Sequence, residues 1–131
     1  MFLQFFQQLF CFFLHVGETG SFRKPLRREE EQACFEALAA GDRSAREKLI
    51  LHNMRLVAHV IKKYGMPQPE QEELISIGTV GLVKAVDSFD CTKGARFATY
   101  ASKCINNEIL MNFRSQKKHA DQIYMDEPIE T

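Results

Sequence analysis

The 131-residue sequence has few of the features that mark enzymes and metal proteins. No nucleophile stands beside a base in a catalytic spacing, and no glycine-rich phosphate loop is present. The four cysteines lack the short spacings of a zinc site, which favours small buried hydrophobes in a reducing cytosol. Three adjacent glutamates, Glu29, Glu30 and Glu31, are interpreted as a solvated helix face. We therefore expect no catalytic residue, no bound metal and no cofactor.

The sequence also lacks net charge, but this balance hides an uneven distribution. Lysine plus arginine and aspartate plus glutamate each number 17. Between residues 66 and 90 five acids accompany one base, whereas between residues 91 and 119 six bases accompany one acid. An acidic stretch followed by a basic one is suited to two different partners, although two solvated helix faces of opposite sign would give the same pattern.

No segment alternates apolar and polar residues as a β-strand does, and the apolar residues recur at helical spacing instead. This pattern predicts helices over residues 26–40, 42–64, 69–86 and 96–118. We therefore expect an all-α fold, in which a compact helical bundle is preceded by a hydrophobic N-terminal helix.

Glycine, proline and short polar residues mark the ends of these helices. Gly41 is placed to end the first helix, and Asp42 or Ser44 can cap the second. Pro69 stands where the third helix begins, followed by acidic residues that the helix dipole favours in a first turn. These signals predict short connections between the helices.

Two glycines, Gly78 and Gly81, lie inside the predicted third helix on the side of Leu74 and Ala85. An interior glycine costs about 1 kcal/mol relative to alanine. We interpret the pair as positions where another helix packs closely rather than as part of a phosphate loop.

The first sixteen residues differ from the rest, because six of the eleven phenylalanines lie there. No lysine or arginine precedes this apolar run, so it lacks the charged start of a secretory signal. It is also shorter than the roughly twenty residues of a membrane span. Wound as a helix, it would place a narrow polar stripe opposite the phenylalanines, which favours a helix lying in a membrane surface; a core helix is the alternative. Residues 17–25 are interpreted as a linker open to cleavage.

The predicted fourth helix has two faces, and one of them is apolar. The other combines an aromatic ring, an amide and cations in Tyr100, Lys103, Asn107, Arg114, Lys117 and Lys118. Cations hold phosphates, an amide bonds base edges and a ring stacks on bases, so this face is typical of nucleic-acid binding. A solvated basic face is the alternative.

Three segments, in order, resemble the conserved second region of the sigma-70 family of RNA polymerase sigma factors. They are AREKLILHNMRLVAHVIKKY at 45–64, ELISIGTVGLVKAVDSFD at 73–90 and GARFATYASKCINNEILMNFR at 94–114. The resemblance covers residues 26–129 and is strongest with the sporulation branch, particularly with sigma-K-type factors. It implies a helical domain over residues 26–119 that binds core polymerase and recognises and melts the minus-ten element of promoters to initiate transcription.

The resemblance implies two sets of site residues. Docking on the coiled coil of the polymerase beta-prime subunit would involve Glu73, Ser76, Ile77, Val80, Gly81 and Lys84. Binding of the non-template single strand of the minus-ten element would involve Arg96, Phe97, Thr99, Tyr100, Lys103, Asn107, Leu110, Arg114, Lys117 and Lys118. Tyr100 is expected to stack on a base, whereas Phe97 is equally well explained as a core residue.

The sequence departs from the housekeeping pattern of this family. Lys103 and Cys104 stand where housekeeping factors carry two tryptophans, and Ala95 stands where they carry another aromatic residue. Base capture is therefore expected to differ. Residues 120–131 resemble the start of the linker to C-terminal regions, so we expect the reader of the minus-thirty-five element to lie in a separately encoded half or to be lost by truncation.

The N-terminal segment resembles the pro-sequence of sigma-K-type factors, which keeps them inactive at a membrane until an intramembrane protease removes it. We therefore expect a cytoplasmic protein whose precursor meets the membrane and a processing protease through residues 1–20, with residues 1–25 as pro-sequence and linker. The alternative function is a truncated, sigma-like interaction protein that binds core polymerase without initiating transcription.

Overall fold

The computed structural model of the protein describes residues 23–126 together with Gln4 and Gln7, and it describes side chains as far as residue 123. Within residues 23–126 it contains five α-helices, one 3₁₀ helix and no β-strand. The helices are α1 (Arg28–Ala39), α2 (Arg43–His52), α3 (Met54–Lys62), α4 (Gln68–Ser88) and α5 (Phe97–Asp126), and the 3₁₀ helix spans Cys91–Lys93. The predicted all-α fold is confirmed. The predicted N-terminal helix (residues 1–16) and linker (residues 17–25) lie outside the described residues, apart from Gln4, Gln7 and residues 23–25.

The turn between α1 and α2 follows the predicted signals. Gly41 has a φ of 97°, a left-handed conformation that favours glycine. Its amide donates to the carbonyl of Leu38, and the amide of Asp42 donates to that of Ala37, which is the bonding of a Schellman motif. The Asp42 carboxylate then caps α2 by accepting bonds from the hydroxyl and amide of Ser44, at 2.6 and 2.9 Å. Both bonds lower the pKa of the Asp42 carboxyl.

The single helix predicted over residues 42–64 is wrong, because the structure divides it at Asn53. This residue has φ −111° and ψ 6°, outside the helical region. Its buried side-chain amide donates to the carbonyl of Leu49 at 2.7 Å, so the side chain replaces a bond that the backbone would otherwise make. No glycine or proline marks the break, and a separate helix, α3, begins at Met54.

The last two long helices extend beyond their predicted ends. Helix α4 starts at Gln68, so Pro69 is its second residue and only Glu70 of the predicted acids lies in the first turn. Helix α5 starts at Phe97 and continues past the predicted end at residue 118 to Asp126. These shifts leave the order and type of the elements unchanged.

Helix α4 lies at the centre of the domain, where it packs along α5 and against α3 and α2. The largest fully buried side chains come from α2, α3, α4 and α5: Leu49, Ile50, Met54, Val57, Leu82, Val86, Phe97, Ile105 and Ile109. Arg46 of α2 adds a polar link by donating to both carboxylate oxygens of Asp87, at 2.7 and 3.0 Å. The core therefore fixes α4 and α5 as one unit.

The two interior glycines of α4 lie where the sequence pattern predicts close packing. A Cβ atom on Gly81 would stand 2.7 Å from the Cα of Ile105 and 2.8 Å from the carbonyl oxygen of Cys104, both in α5. A Cβ atom on Gly78 would stand 2.9 Å from Cγ1 of Val57 in α3. The absence of side chains at these positions lets α4 approach both neighbours.

In the part of the chain that the structure describes, no helix combines the length and apolar character needed to cross a bilayer. Nor does that part gather three or more metal-ligating side chains at one place.

Candidate nucleic-acid and protein interfaces

The residues predicted to bind a protein partner form one stripe along α4. Their spacing of three and four residues puts them on the same side of the helix. The stripe contains Glu73, Ser76, Ile77, Val80 and Lys84. Its ends are exposed and polar, whereas Ile77 and Val80 in the middle are half-buried. Ile77 packs against the core, whereas Val80 is not among the side chains that do so within the described part of the chain. Val80 is therefore the apolar side chain of the stripe that remains available for a partner.

Gly81 belongs to the same predicted set but is placed differently. It is buried against the backbone of Ile105 and Cys104. It consequently has neither a side chain nor an accessible backbone to offer to a partner in this structure. Its contribution is to hold α5 close behind the stripe.

A salt bridge connects the α4 stripe to α5. The ammonium group of Lys84 lies 3.0 Å from both carboxylate oxygens of Glu108. The Lys84 side chain is 59% exposed, so the bridge contributes at most about 1 kcal/mol to stability. Its effect is mainly to orient Lys84 along the surface between the two helices.

The predicted basic face of α5 is exposed. Together with Arg96, which directly precedes α5, its exposed residues are Thr99, Lys103, Asn107, Leu110, Arg114, Lys117 and Lys118. None of the five cations among them forms an ion pair with any residue that the structure describes. Four of these cations lie on α5 and Arg96 directly precedes it. Because none forms an ion pair with a described residue, they can neutralise phosphates at little desolvation cost.

Phe97 lies in the core. Its side chain is 1% exposed, and its ring centroid lies 5.1 Å from that of Phe35 and 5.2 Å from that of Phe89. Of the two interpretations that the sequence left open, the structure agrees with the core residue, because this ring offers no free face to a base.

Tyr100 is half-buried and held in place. Its ring lies 5.5 Å from that of Phe89 at an angle of 42°. Its hydroxyl lies 2.7 Å from the hydroxyl of Ser88, which in turn donates to the carbonyl of Lys84. These contacts fix the ring at the surface where α4 ends and α5 begins.

A cleft of about 360 Å³ opens between α1 and the segment that leads into α5. Glu31 and Arg28 of α1 line one wall, and Arg96 lines the other, beside the rings of Phe35 and Phe89. The interpretation of Glu31 as solvated is wrong. Glu31 is half-buried, and burial raises the pKa of its carboxyl, whereas the neighbouring glutamates stay exposed. Sequence reasoning missed this cleft because its two walls are more than sixty residues apart.

Residues 49–119 match the family model Sigma-70 region 2, which is more than half of the chain. The chain belongs to the sigma-70 region 2 family. It is 43% identical over 123 residues to the RNA polymerase sigma-28 factor of Bacillus thuringiensis subsp. kurstaki, covering 94% of this chain and 52% of that protein.

Two further relatives of the region 2 chain are RNA polymerase sigma factors. The sigma-K factor of Bacillus subtilis is 45% identical over 100 residues, covering 76% of this chain and 34% of that protein. The sigma-E factor of Clostridium acetobutylicum is 42% identical over 115 residues, covering 88% of this chain and 49% of that protein. The chain thus spans about half, or less, of the length of these three relatives, and the resemblance drawn from its motifs is confirmed.

Replacing Glu31 of this region 2 domain with glutamine is expected to stabilise the fold at neutral pH. Burial raises the folded-state pKa of Glu31, so the folded state prefers the neutral carboxyl. The cost of burying the charge is absent below the unfolded pKa of about 4.3 and grows as pH rises through that value. Thermal unfolding should show a higher Tm for Glu31→Gln than for wild type at pH 7 and no difference near pH 4.

The matched control for that experiment is Glu29→Gln, since Glu29 is exposed and shares the first turn of α1. Both substitutions remove an acid that the helix dipole favours, so the difference in Tm between the two variants reports the effect of burial alone. A Tm for Glu31→Gln that is no higher than that of Glu29→Gln at pH 7 would show that Glu31 is solvated after all.

Proposed function

We propose that this chain binds core RNA polymerase through α4 and the single-stranded minus-ten element of promoters through α5, and so takes part in initiating sporulation-type transcription. The observation that carries the proposal is the basic face formed by α5 and by Arg96, which directly precedes it; none of its five cations forms an ion pair with a described residue. That face lies within the residues matched by the family model.

The α4 stripe supports the polymerase half of the proposal. Protein interfaces commonly combine an apolar centre with a polar rim. Val80 offers an apolar side chain that the core does not cover, flanked along the helix by the exposed Ser76 and Lys84. The stripe runs along a 21-residue helix whose other side is buried in the core. It would therefore present these groups to a partner helix without reorganisation.

The basic face and the cleft support the DNA half of the proposal. Lys103, Arg114, Lys117 and Lys118 would hold backbone phosphates, while Asn107 offers an amide to a base edge. The cleft beside Arg96 is large enough for one unstacked base, and the Glu31 carboxyl in its wall could accept a bond from an exocyclic amine. Tyr100 would provide a stacking surface at the edge of the same region.

A precursor stage forms the last part of the proposal. The phenylalanine-rich residues 1–16 would lie in a membrane surface, and cleavage in the linker 17–25 by a membrane protease would release a cytoplasmic factor. The support is the sequence pattern, because the structure describes only Gln4, Gln7 and residues 23–25 of this segment.

The DNA half is tested by binding of a fluorescent single-stranded minus-ten oligonucleotide to the purified chain. Tyr100→Ala should weaken binding about tenfold, at the lower end of base–aromatic stacking, because the ring is only partly available. Arg114→Ala should weaken it by a similar factor and reduce the salt dependence by about one counterion. Fluorescence anisotropy over a series of salt concentrations measures both effects.

Two controls accompany this test. Tyr100→Phe keeps the ring and removes only the hydroxyl contact with Ser88, so it should bind nearly as wild type does. Lys48→Ala removes an exposed cation from α2, away from α5, and should change neither affinity nor salt dependence. Unchanged affinity in both Tyr100→Ala and Arg114→Ala would refute the DNA role. Polymerase binding without any DNA binding would instead favour a sigma-like protein that holds polymerase without initiating.

A further inference from the structure

The outward face of α3 carries a second basic surface, which has no part in the proposed binding of polymerase or promoter DNA. It consists of Arg55, His59, Lys62 and Lys63, all exposed and spaced four, three and one residues apart. We name these four residues the α3 basic strip. Helix α3 contains no acidic residue. None of the four side chains forms an ion pair or hydrogen bond with any residue that the structure describes.

The chain enters the domain beside the first residue of this strip. His52, at the end of α2, precedes Arg55 by three residues, and its ring lies 2.8 Å from the carbonyl oxygen of Lys24. Because that oxygen can only accept, the Nδ1–H of His52 must donate. Leu26 packs against the core just beyond this contact. The segment that comes from the N-terminal phenylalanines is therefore anchored at one end of the strip.

The anchor limits how far the domain can move from its N-terminal segment. The chain takes eight residue steps from position 16 to Lys24, so this segment reaches at most about 29 Å when fully extended. A surface that holds residues 1–16 would therefore keep the anchored end of the strip within about one domain diameter. At that range only a face turned toward the surface feels its charge, since screening acts over about 8 Å at physiological salt.

We propose that the α3 basic strip docks on anionic lipid headgroups while residues 1–16 hold the precursor at a membrane. This inference rests on the proposed precursor stage. A lipid surface is favoured over nucleic acid because the strip begins where the membrane-linked segment joins the domain. Each lysine or arginine close to an anionic leaflet strengthens binding about fivefold.

Docking in this orientation would also restrict the proposed DNA surface. Tyr64, which follows the strip, bonds the side chain of Asn106 in α5, and its ring lies 5.8 Å from that of Phe113. The far end of the strip therefore adjoins α5 next to Asn107 and Leu110. A bilayer against the strip would crowd this side of α5, which gives a physical reason for the precursor to be inactive until it is released.

Flotation of the full-length chain with vesicles tests the proposal. Vesicles of phosphatidylcholine alone report binding through residues 1–16, and vesicles that also contain phosphatidylglycerol report the added electrostatic binding. The double variant Lys62→Gln/Lys63→Gln should lose about 20-fold in affinity for the anionic vesicles and nothing for the neutral ones. Hydrogen exchange over residues 54–63 should slow on anionic vesicles in the wild type only.

The matched control is Lys117→Gln/Lys118→Gln, which removes the same charge from two adjacent exposed positions of α5. These lysines lie about 16 Å along the helix from Asn106, beyond the screening length. Their replacement should therefore lower the affinity for anionic vesicles less than threefold. Thermal unfolding confirms that both double variants are folded.

Four results would overturn the docking proposal. Equal wild-type binding to neutral and anionic vesicles, or equal losses in the two double variants, would remove the strip from lipid binding while leaving the precursor stage intact. Absence of binding to either vesicle would remove the precursor stage as well. A loss of single-stranded DNA affinity in Lys62→Gln/Lys63→Gln, with lipid binding unchanged, would make the strip a nucleic-acid surface.

Discussion

Replacing Gly81 with alanine is expected to lower the free energy of unfolding by about 3 kcal/mol, the upper range for overpacking a well-packed core. The added methyl group would lie 2.7 Å from the Cα of Ile105 and 2.8 Å from the carbonyl oxygen of Cys104. Both are backbone atoms of α5, so no side chain can rotate away. Relief requires α5 to move from α4 along their shared surface, which opens the core around Leu82 and Ile109.

The matched control is Gly78→Ala, in the same helix and one turn earlier. Its methyl group would meet Cγ1 of Val57 at 2.9 Å and Cγ2 of Ile105 at 3.3 Å, which are ends of side chains. These can shift by a few tenths of an ångström, and alanine returns about 1 kcal/mol of helix propensity. We therefore expect a net change below about 1 kcal/mol for Gly78→Ala.

Urea unfolding of the two variants measures the difference. In a domain of this size, each kcal/mol of lost unfolding free energy should lower the Tm by about 4–8 °C. Thermal unfolding therefore measures the same difference independently. The gain in helix propensity is the same in both variants, so any difference in stability comes from the atoms that the added methyl group contacts. Equal stabilities for Gly78→Ala and Gly81→Ala would mean that α5 does not approach α4 as closely as the structure places it.

These glycines show what kind of feature the sequence could predict. Apolar period, caps and helix-breaking residues are local, so Gly41, Asp42 and Pro69 placed helix ends to within a residue or two. Interior glycines are also local signals, because their conformational cost has to be offset by close packing. The position of the contact, on the backbone of Ile105, depends on the register of two helices and required the structure.

Two features had no local signal. The break at Asn53 depends on a buried side-chain bond to the carbonyl of Leu49, and asparagine is otherwise tolerated inside helices. The partial burial of Glu31 depends on α1 lying across the segment before α5. The local sequence, a run of glutamates, predicts a solvated side chain, since the residues that form the other wall of the cleft are distant in sequence. Both errors are therefore errors about tertiary contacts rather than about periodicity.

The same distinction applies to the candidate sites. Family motifs assign Phe97 and Gly81 to sets that touch partners, yet both are buried here. Their neighbours Tyr100 and Val80 are half-buried, so part of each side chain remains accessible. Burial thus separates residues that build the surface from residues that can contact a partner, and it selects Val80 for the sharpest test of the polymerase interface.

Val80→Lys is expected to weaken binding to core RNA polymerase about 100-fold, as loss of a central interface residue does. Val80 is the apolar residue of the α4 stripe that does not pack on the core, so a partner would have to bury the new ammonium group in place of a methyl surface. The fold should change by less than about 1 kcal/mol, because lysine is a better helix former than valine and its long side chain can carry the ammonium group from this half-buried position to solvent.

Ala33→Lys supplies the control, since it adds the same charge at an exposed position of α1. Surface plasmon resonance with immobilised core polymerase should show wild-type affinity for this variant. Val80→Lys should also retain affinity for the single-stranded minus-ten oligonucleotide, because the basic face of α5 is untouched. Loss of both activities would indicate a folding defect, whereas full polymerase binding by a folded Val80→Lys would exclude the α4 stripe as the docking surface. If α4 binds polymerase and α5 binds DNA through distinct faces, Val80→Lys should lose polymerase binding and keep DNA binding.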